Sequence, residues 1–330
     1  MAIIVAVRSG NWSDTTVWDL ERTPADGELV QAGAYIIEFD EDVDQPNTVL
    51  DATTGSYQYS GAGTRSVTAN ANMGTHTGNG IVRNAATGTL HFPGEVVGGS
   101  GSSAYGAYNS GAGSMIIGTA TGGSAVGAHG AYNSGAGSMT IDTANGGSGS
   151  FVYGACNSGA GSMTIDTANG GSGWNAFGAY NSGAGSMIIG TATGGSGSSA
   201  YGAYIAYSGS MIIGTATGGS GVGAYGAYNG SYGELHCDLA VGNDYGQVGL
   251  HDYPNPGVVG GNAGQTTVKR MQAGSHGQAA TGGSVYIEVD ATNSAQFATD
   301  PIRDPITMYP LGGNIGPVSI VIGGGGIRIS

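Results

Sequence analysis

Positive charge is what this sequence has least of: 8 of its 330 residues are Lys or Arg against 22 Asp or Glu, for a net charge of −14. The eight (Arg8, Arg22, Arg65, Arg83, Lys269, Arg270, Arg303 and Arg328) all lie outside residues 105–233. A surface without cations cannot neutralise phosphates, so nucleic acid is not expected as a partner. Cysteine is scarce too, and Cys156 and Cys237 are read as free thiols because stacked layers would hold them too far apart for a bridge. No run approaches the roughly 18 apolar residues of a membrane-spanning helix. Residues 1–7 reach Arg8 with no basic start and no cleavage site, so a soluble protein made in a cytoplasm without a signal peptide is expected. Helical periodicity is missing as well, and the 68 Gly would each cost a helix about 1 kcal/mol. Because that Gly has no Gly-X-Y period, collagen is excluded.

What is present is a sentence of 24 residues written five times and begun a sixth. Met115, Met139, Met163, Met187 and Met211 keep this step, as do Ile117, Ile141, Ile165, Ile189 and Ile213. Thr119, Thr143, Thr167, Thr191 and Thr215 follow in register, and a Gly-Gly-Ser such as Gly122-Gly123-Ser124 closes each copy. A fixed period of this size means one unit stacked on itself. Each unit holds a β-branched run such as residues 138–143, a second short run such as 176–180, and an Asn-Ser-Gly-Ala-Gly turn. Short strands joined by Gly, Asn and Ser corners predict an all-β parallel β-helix, or β-solenoid, with 24-residue rungs.

Which positions keep their character across copies predicts inside and outside. Met and Ile share a parity and form the expected core ladder, with Thr140 and Asp142 facing out. In the second run Ala104, Ala128, Val152, Ala176, Ala200 and Ala224 share a parity with Tyr108, Tyr132, Cys156, Tyr180, Tyr204 and Tyr228, so both sets are expected inside. The opposite parity then carries an outward stripe of Tyr105, His129, Tyr153, Phe177, Tyr201 and Tyr225. A contiguous aromatic stripe marks an interface, either with sister subunits or with sugar rings.

The ends differ from the middle. Residues 1–56 are expected to be an N-terminal cap with entry strands, residues 57–252 the solenoid with its regular rungs at 105–233, and residues 253–330 a small β domain and tail. The pattern Gly10-Asn11-Trp12-Ser13-Asp14, Trp18, Pro24, Gly27-Glu28 and Val30 resembles the N-terminal start of right-handed parallel β-helix proteins of tailed-bacteriophage virions and bacterial surfaces. That resemblance spans roughly 35 residues. It implies a virion structural protein, either a capsid decoration or cement protein or a tail fibre or spike. It also implies a homotrimer whose other partners are virion proteins such as the major capsid protein.

Chemistry is thinly represented. Asp142 and Asp166 recur at one outward slot and are the candidate carboxylate pair for glycoside hydrolysis, yet they stand in identical Thr-Ile-Asp-Thr-Ala-Asn strings with no unique groove around them. No enzyme is expected. Glu38, Asp40, Glu41, Asp42 and Asp44 form the densest acidic cluster, a candidate structural Ca²⁺ site without EF-hand spacing; no other cofactor or metal is expected. Thr119-Ala120-Thr121 and its repeats at 191–193 and 215–217 resemble the threonine arrays of ice-binding solenoids, although Asn145 and Asn169 interrupt them. A host surface glycan is the remaining candidate partner, for an adhesin.

Overall fold

The computed structural model describes residues 1–72, 82–84, 87–222, 224–230 and 232–242, together with the strands at 250–252, 266–272, 280–281, 285–287, 306–308, 318–323 and 326–329. Parallel strands stack into a β-solenoid with two sheets, of 13 and 12 strands among the described residues. In the repeat, each rung gives its long strand, such as Ser138–Asn145, to one sheet and its short strand, such as Ala155–Asn157, to the other. Pairing is strictly in register, with Met115 on Met139, Met139 on Met163 and Met163 on Met187. Identical residues therefore lie over one another.

The long strand shows why this sequence closes into a coil. Met139, Ile141 and Ala144 are each at most 1% exposed, a spacing of two and then three residues. Asp142 is the additional residue. Pairing runs from Ile141–Ile165 straight to Thr143–Thr167, so every rung bends at the slot of Asp142 or its Gly equivalents and wraps around the core. Each buried Met or Ile contributes about 2–3 kcal/mol of hydrophobic stabilisation. In the rung before, Phe92 and Glu95 pair with Ile117 and Thr119, and the inserted residue is absorbed at this bend.

The short strand corrects the expected parity. Ala107 and Asn109 are fully buried while Tyr108 is half-buried, and the same holds for Ala131, Tyr132 and Asn133. The tyrosine file thus lies outside, not in. Counting in twos from Ala104 fails because residues 104–106 are not strand: Gly106 turns a corner so tight that a Cβ there would sit 2.6 Å from the Gly130 carbonyl oxygen and 2.8 Å from that of Thr121. The buried asparagines hold the next corner. Asn181 Nδ2 donates to the Gly185 carbonyl at 2.9 Å and to the Ser210 carbonyl at 3.2 Å, tying a turn to the rung above.

Residues 1–56 are built into the solenoid. Ile3–Val5, Leu29–Gln31 and Val43–Asp51 join the long-strand sheet, and Gly10–Asn11, Ile36–Glu38 and Ser56–Tyr59 join the other. Their core is aromatic. Trp12 meets Trp18 edge-on at 5.4 Å, Phe39 lies 5.8 Å from Trp12, and Tyr57 stacks on Phe39. Buried Glu28 is held by Arg22, Nη1 to Oε2 at 3.0 Å, which keeps its carboxyl below the usual range. At the other end Thr266–Gln272 and Val285–Ile287 lengthen the long-strand sheet in parallel, past the boundary expected at 253. Ile306–Met308, Val318–Gly323 and Gly326–Ile329 form a separate antiparallel sheet. The remaining residues between 253 and 330 lie outside the described ones.

Candidate functional site

Two aromatic files run along the repeat, and the stripe expected to face outward is instead buried at His129, Tyr153 and Phe177, where stacking by adjacent rungs and the packing of the second file cover it. The first is the stripe itself, stacked ring on ring: His129 on Tyr153 at 4.5 Å, Tyr153 on Phe177 at 5.0 Å and Phe177 on Tyr201 at 4.9 Å, with planes within 11° of parallel. Tyr105 and Tyr225 close its ends at 5.5 and 5.0 Å. Each inner ring is covered on both faces by its neighbours. His129, Tyr153 and Phe177 are accordingly 8%, 8% and 4% exposed. Sugars dock flat on free ring faces, and this stripe has none to offer along its middle.

The second file leans on the first. Tyr132 approaches Tyr105 to 4.6 Å, and Tyr180 approaches Tyr153 to 4.7 Å. Hydroxyls bridge rungs, since Ser134 Oγ donates to Tyr108 at 3.1 Å and Ser158 Oγ to Tyr132 at 2.8 Å. Cys156 interrupts this file and is 3% exposed beneath its aromatic neighbours. Burial sets the electrostatics. It pushes the Cys156 thiol and the Tyr153 phenol up, Tyr180 and Tyr201 up to about 12, and His129 down to about 3. His129 stays neutral and accepts a hydrogen bond at Nδ1 from the Tyr153 amide at 3.2 Å.

Between the two strands each rung throws out a lobe, and its tip is where copies differ. Ser103, Gly127, Phe151, Asn175 and Ser199 all occupy the left-handed region, with φ between 53° and 71°. Backbone bonds fix the tips whatever the side chain: Phe151 N–H donates to the Trp174 carbonyl at 2.8 Å and Asn175 N–H to that of Ser198 at 3.0 Å. Ala104, Ala128, Val152, Ala176, Ala200 and Ala224 fill the lobe and are fully buried. Above them Val126, Phe151, Trp174 and Val222 stand exposed at 56%, 39%, 51% and 64%. Residue type at the tip predicted none of this, because its signal lies in variation within a constant frame.

The core ladder is inside: the five Met and five Ile are 0–2% exposed. Asp142 and Asp166 are exposed at the bend, one rung apart, and neither forms a salt bridge among the described residues. The acidic cluster is dispersed to different partners. Asp40 accepts from Ser13, Glu38 from Ser60, and Asp42 from the Ser66 amide at 3.0 Å, so neighbouring rungs use these carboxylates one by one. Among the described residues no three His, Cys, Asp or Glu converge as a metal site. In the threonine array Asn169 Nδ2 donates to Asn145 Oδ1 at 2.9 Å, which breaks the hydroxyl lattice. A groove of about 880 Å³ runs along the Gly-Gly-Ser segments, from Gly98 to Ser220. No helix among the described residues is long and apolar enough to cross a membrane. Set against protein-family models, curated proteins and solved structures, the chain finds no match.

Proposed function

We propose that this chain is a non-enzymatic structural rod on the surface of a tailed-phage virion, a capsid decoration or cement protein first and a tail fibre or spike second. One observation carries the structural part: the distinctive side chains of the repeat are consumed by the next rung. Met and Ile pack in register, asparagine amides bridge turns, and stripe rings cover one another. Such a surface serves persistence and length. The virion part is supported by the N-terminal pattern around Trp12 and Trp18 and by a repeat surface of Gly, Ser and Thr without a single Lys or Arg.

Self-association has its own face in this reading. Along the outside of the long-strand sheet Ile116, Ile188 and Ile212 are 40%, 51% and 53% exposed, with Thr140 and Thr164 between them. A sister subunit in a homotrimer covers that β-branched face, and an end of the rod meets other virion proteins such as the major capsid protein.

Immunogold labelling and mass spectrometry of particles released by cells that encode the chain test the assignment. Labelled heads are expected; labelled tails move the role to fibre or spike. Purified particles devoid of the protein overturn the reading. Hydrolysis of a host polysaccharide that Asp142→Asn abolishes refutes the non-enzymatic part.

A further inference from the structure

The rungs repeat almost word for word in their strands and depart from one another at the lobe tips. Successive tips, from the residue after Gly-Gly-Ser, read Gly-Ser-Ser-Ala-Tyr, Ala-Val-Gly-Ala-His, Gly-Ser-Phe-Val-Tyr, Gly-Trp-Asn-Ala-Phe, Gly-Ser-Ser-Ala-Tyr and Gly-Val-Gly-Ala-Tyr. A constant frame that displays variable tips is how rigid scaffolds carry recognition. Departures concentrate on two adjacent rungs. One carries Phe151, Val152 and Cys156, and the next carries Trp174, Asn175 and Phe177.

At that place the tip is built in a way the backbone does not require. Phe151 sits at φ 55°, where the equivalent slots hold Ser103, Gly127, Asn175 and Ser199. A bulky residue there is an outlier, and strain of this kind is kept where something else demands it. Phe151 and Trp174 meet edge to face, with centroids 4.9 Å apart and planes at 79°, and form an aromatic corner that stays 39% and 51% exposed. Unlike the parallel rings of the stripe, these two rings meet edge to face, so neither lies flat over the other.

The surroundings select the ligand. There is no Asp, Glu, Lys, Arg or His between Asp142 and Asp166, and none between Asp166 and Glu234. The residues that flank the two rings in sequence include Ser148, Ser150, Ser172 and Asn175, hydroxyl and amide groups without charge, and Ser172 Oγ donates to the Ser148 carbonyl at 3.4 Å. An apolar ring face bordered by neutral donors and acceptors matches a pyranose, which presents C–H bonds on one face and hydroxyls at its rim. We infer that Phe151 and Trp174 form a binding site for a neutral saccharide. The inference stands whether or not a virion carries the chain.

Trp174 makes the test selective, because Trp12 and Trp18 are 2% and 1% exposed and only Trp174 is open to acrylamide. The full chain is run in affinity gels containing dextran, a soluble β-glucan or galactomannan, and acrylamide quenching is measured with each polymer. Trp174→Ser and Phe151→Ser serve as variants; both install the residue other rungs hold at the same slot, Ser102, Ser150 and Ser198 or Ser103 and Ser199, so the fold is retained. At least one polymer is expected to retard the chain and shield Trp174, with retardation weakened about tenfold in either variant. The inference is overturned if none of the three polymers retards the chain, or if retardation is unchanged in both variants. Sedimentation that shows a dimer lost in Trp174→Ser assigns the corner to a second copy and overturns it equally.

Discussion

Tyr153 and Phe177 lie one rung apart with ring centroids 5.0 Å from each other and planes 2° from parallel. The contact spans two layers that share no side chain of their own sequence neighbourhood, so it measures how strongly successive rungs hold one another. Phe177→Ala is expected to lower stability by about 3–5 kcal/mol, while Phe177→Tyr, the residue of the adjacent copies, stays close to the parent. Chemical denaturation of the three proteins decides it. Equal midpoints would show that the stack is ornamental.

His129 is the stripe's pH-sensitive member. Its ring neighbours are Tyr105, Tyr132 and Tyr153, and among the described residues no carboxylate pairs with it to stabilise an imidazolium. Burial holds the folded pKa down at about 3, below an unfolded value of about 6.5. The unfolded state therefore binds the extra proton between these limits. Stability is complete above about pH 6.5 and is lost as pH falls toward 3, with a ceiling of about 4–5 kcal/mol. Thermal melts of the parent and His129→Tyr should coincide at pH 8 and diverge by pH 4.5, with the parent melting lower.

The asparagine ladder gives a third expectation. Asn181→Ala leaves the Gly185 and Ser210 carbonyls without their side-chain donor and should cost about 1–3 kcal/mol. One rung later Ile205 fills the same slot at 0% exposure, so the position accepts an apolar occupant only with the altered turn Ala206-Tyr207-Ser208-Gly209. Amide exchange at residues 182–186 should accelerate in the alanine variant.

Two glycines separate close approach from backbone freedom. A Cβ on Gly147 would fall 1.6 Å from the Gly123 carbonyl oxygen, an overlap no local shift can absorb, whereas Gly127 has only Ser103 Oγ within 4 Å, at 3.7 Å. Gly147→Ala is expected to abolish soluble folded protein. Gly127→Ala, at φ 71°, should cost about 1–2 kcal/mol and fold. Expression and circular dichroism compare the pair.

Both thiols should be silent. Burial pushes Cys237 up to about 12 and Cys156 up as well, and each is 3% exposed. Ellman's reagent at pH 8 should find no reactive thiol in the folded chain and both after denaturation. Prompt reaction of the native protein would contradict the packing of Cys156 under its tyrosines.

How much of this was legible follows from where a period existed to be read. The 24-residue step of Met115 through Met211 specified parallel stacking, and the structure is an all-β solenoid with those residues in register. The parity of Tyr108 was not legible, because Gly106 and Gly130 interrupt the chain just before three-residue strands. Residues 1–56 read as a cap with entry strands rather than as full rungs since their spacing is unequal: Ile3 pairs with Leu29, and Leu29 with Val49. The Phe151–Trp174 corner was not legible because a 24-residue period is defined by the slots that recur, and these two slots change from copy to copy.

Register by identity has a further result for the rod as an object that changes over generations. Ser138–Asn145 and Ser162–Asn169 are the same eight residues, and each pairs with its neighbour without adjustment. Loss or gain of one copy through recombination between such stretches changes the span by about 4.8 Å and leaves every junction intact. Reach can therefore be inherited in discrete steps, while each tip is exchanged as a cassette.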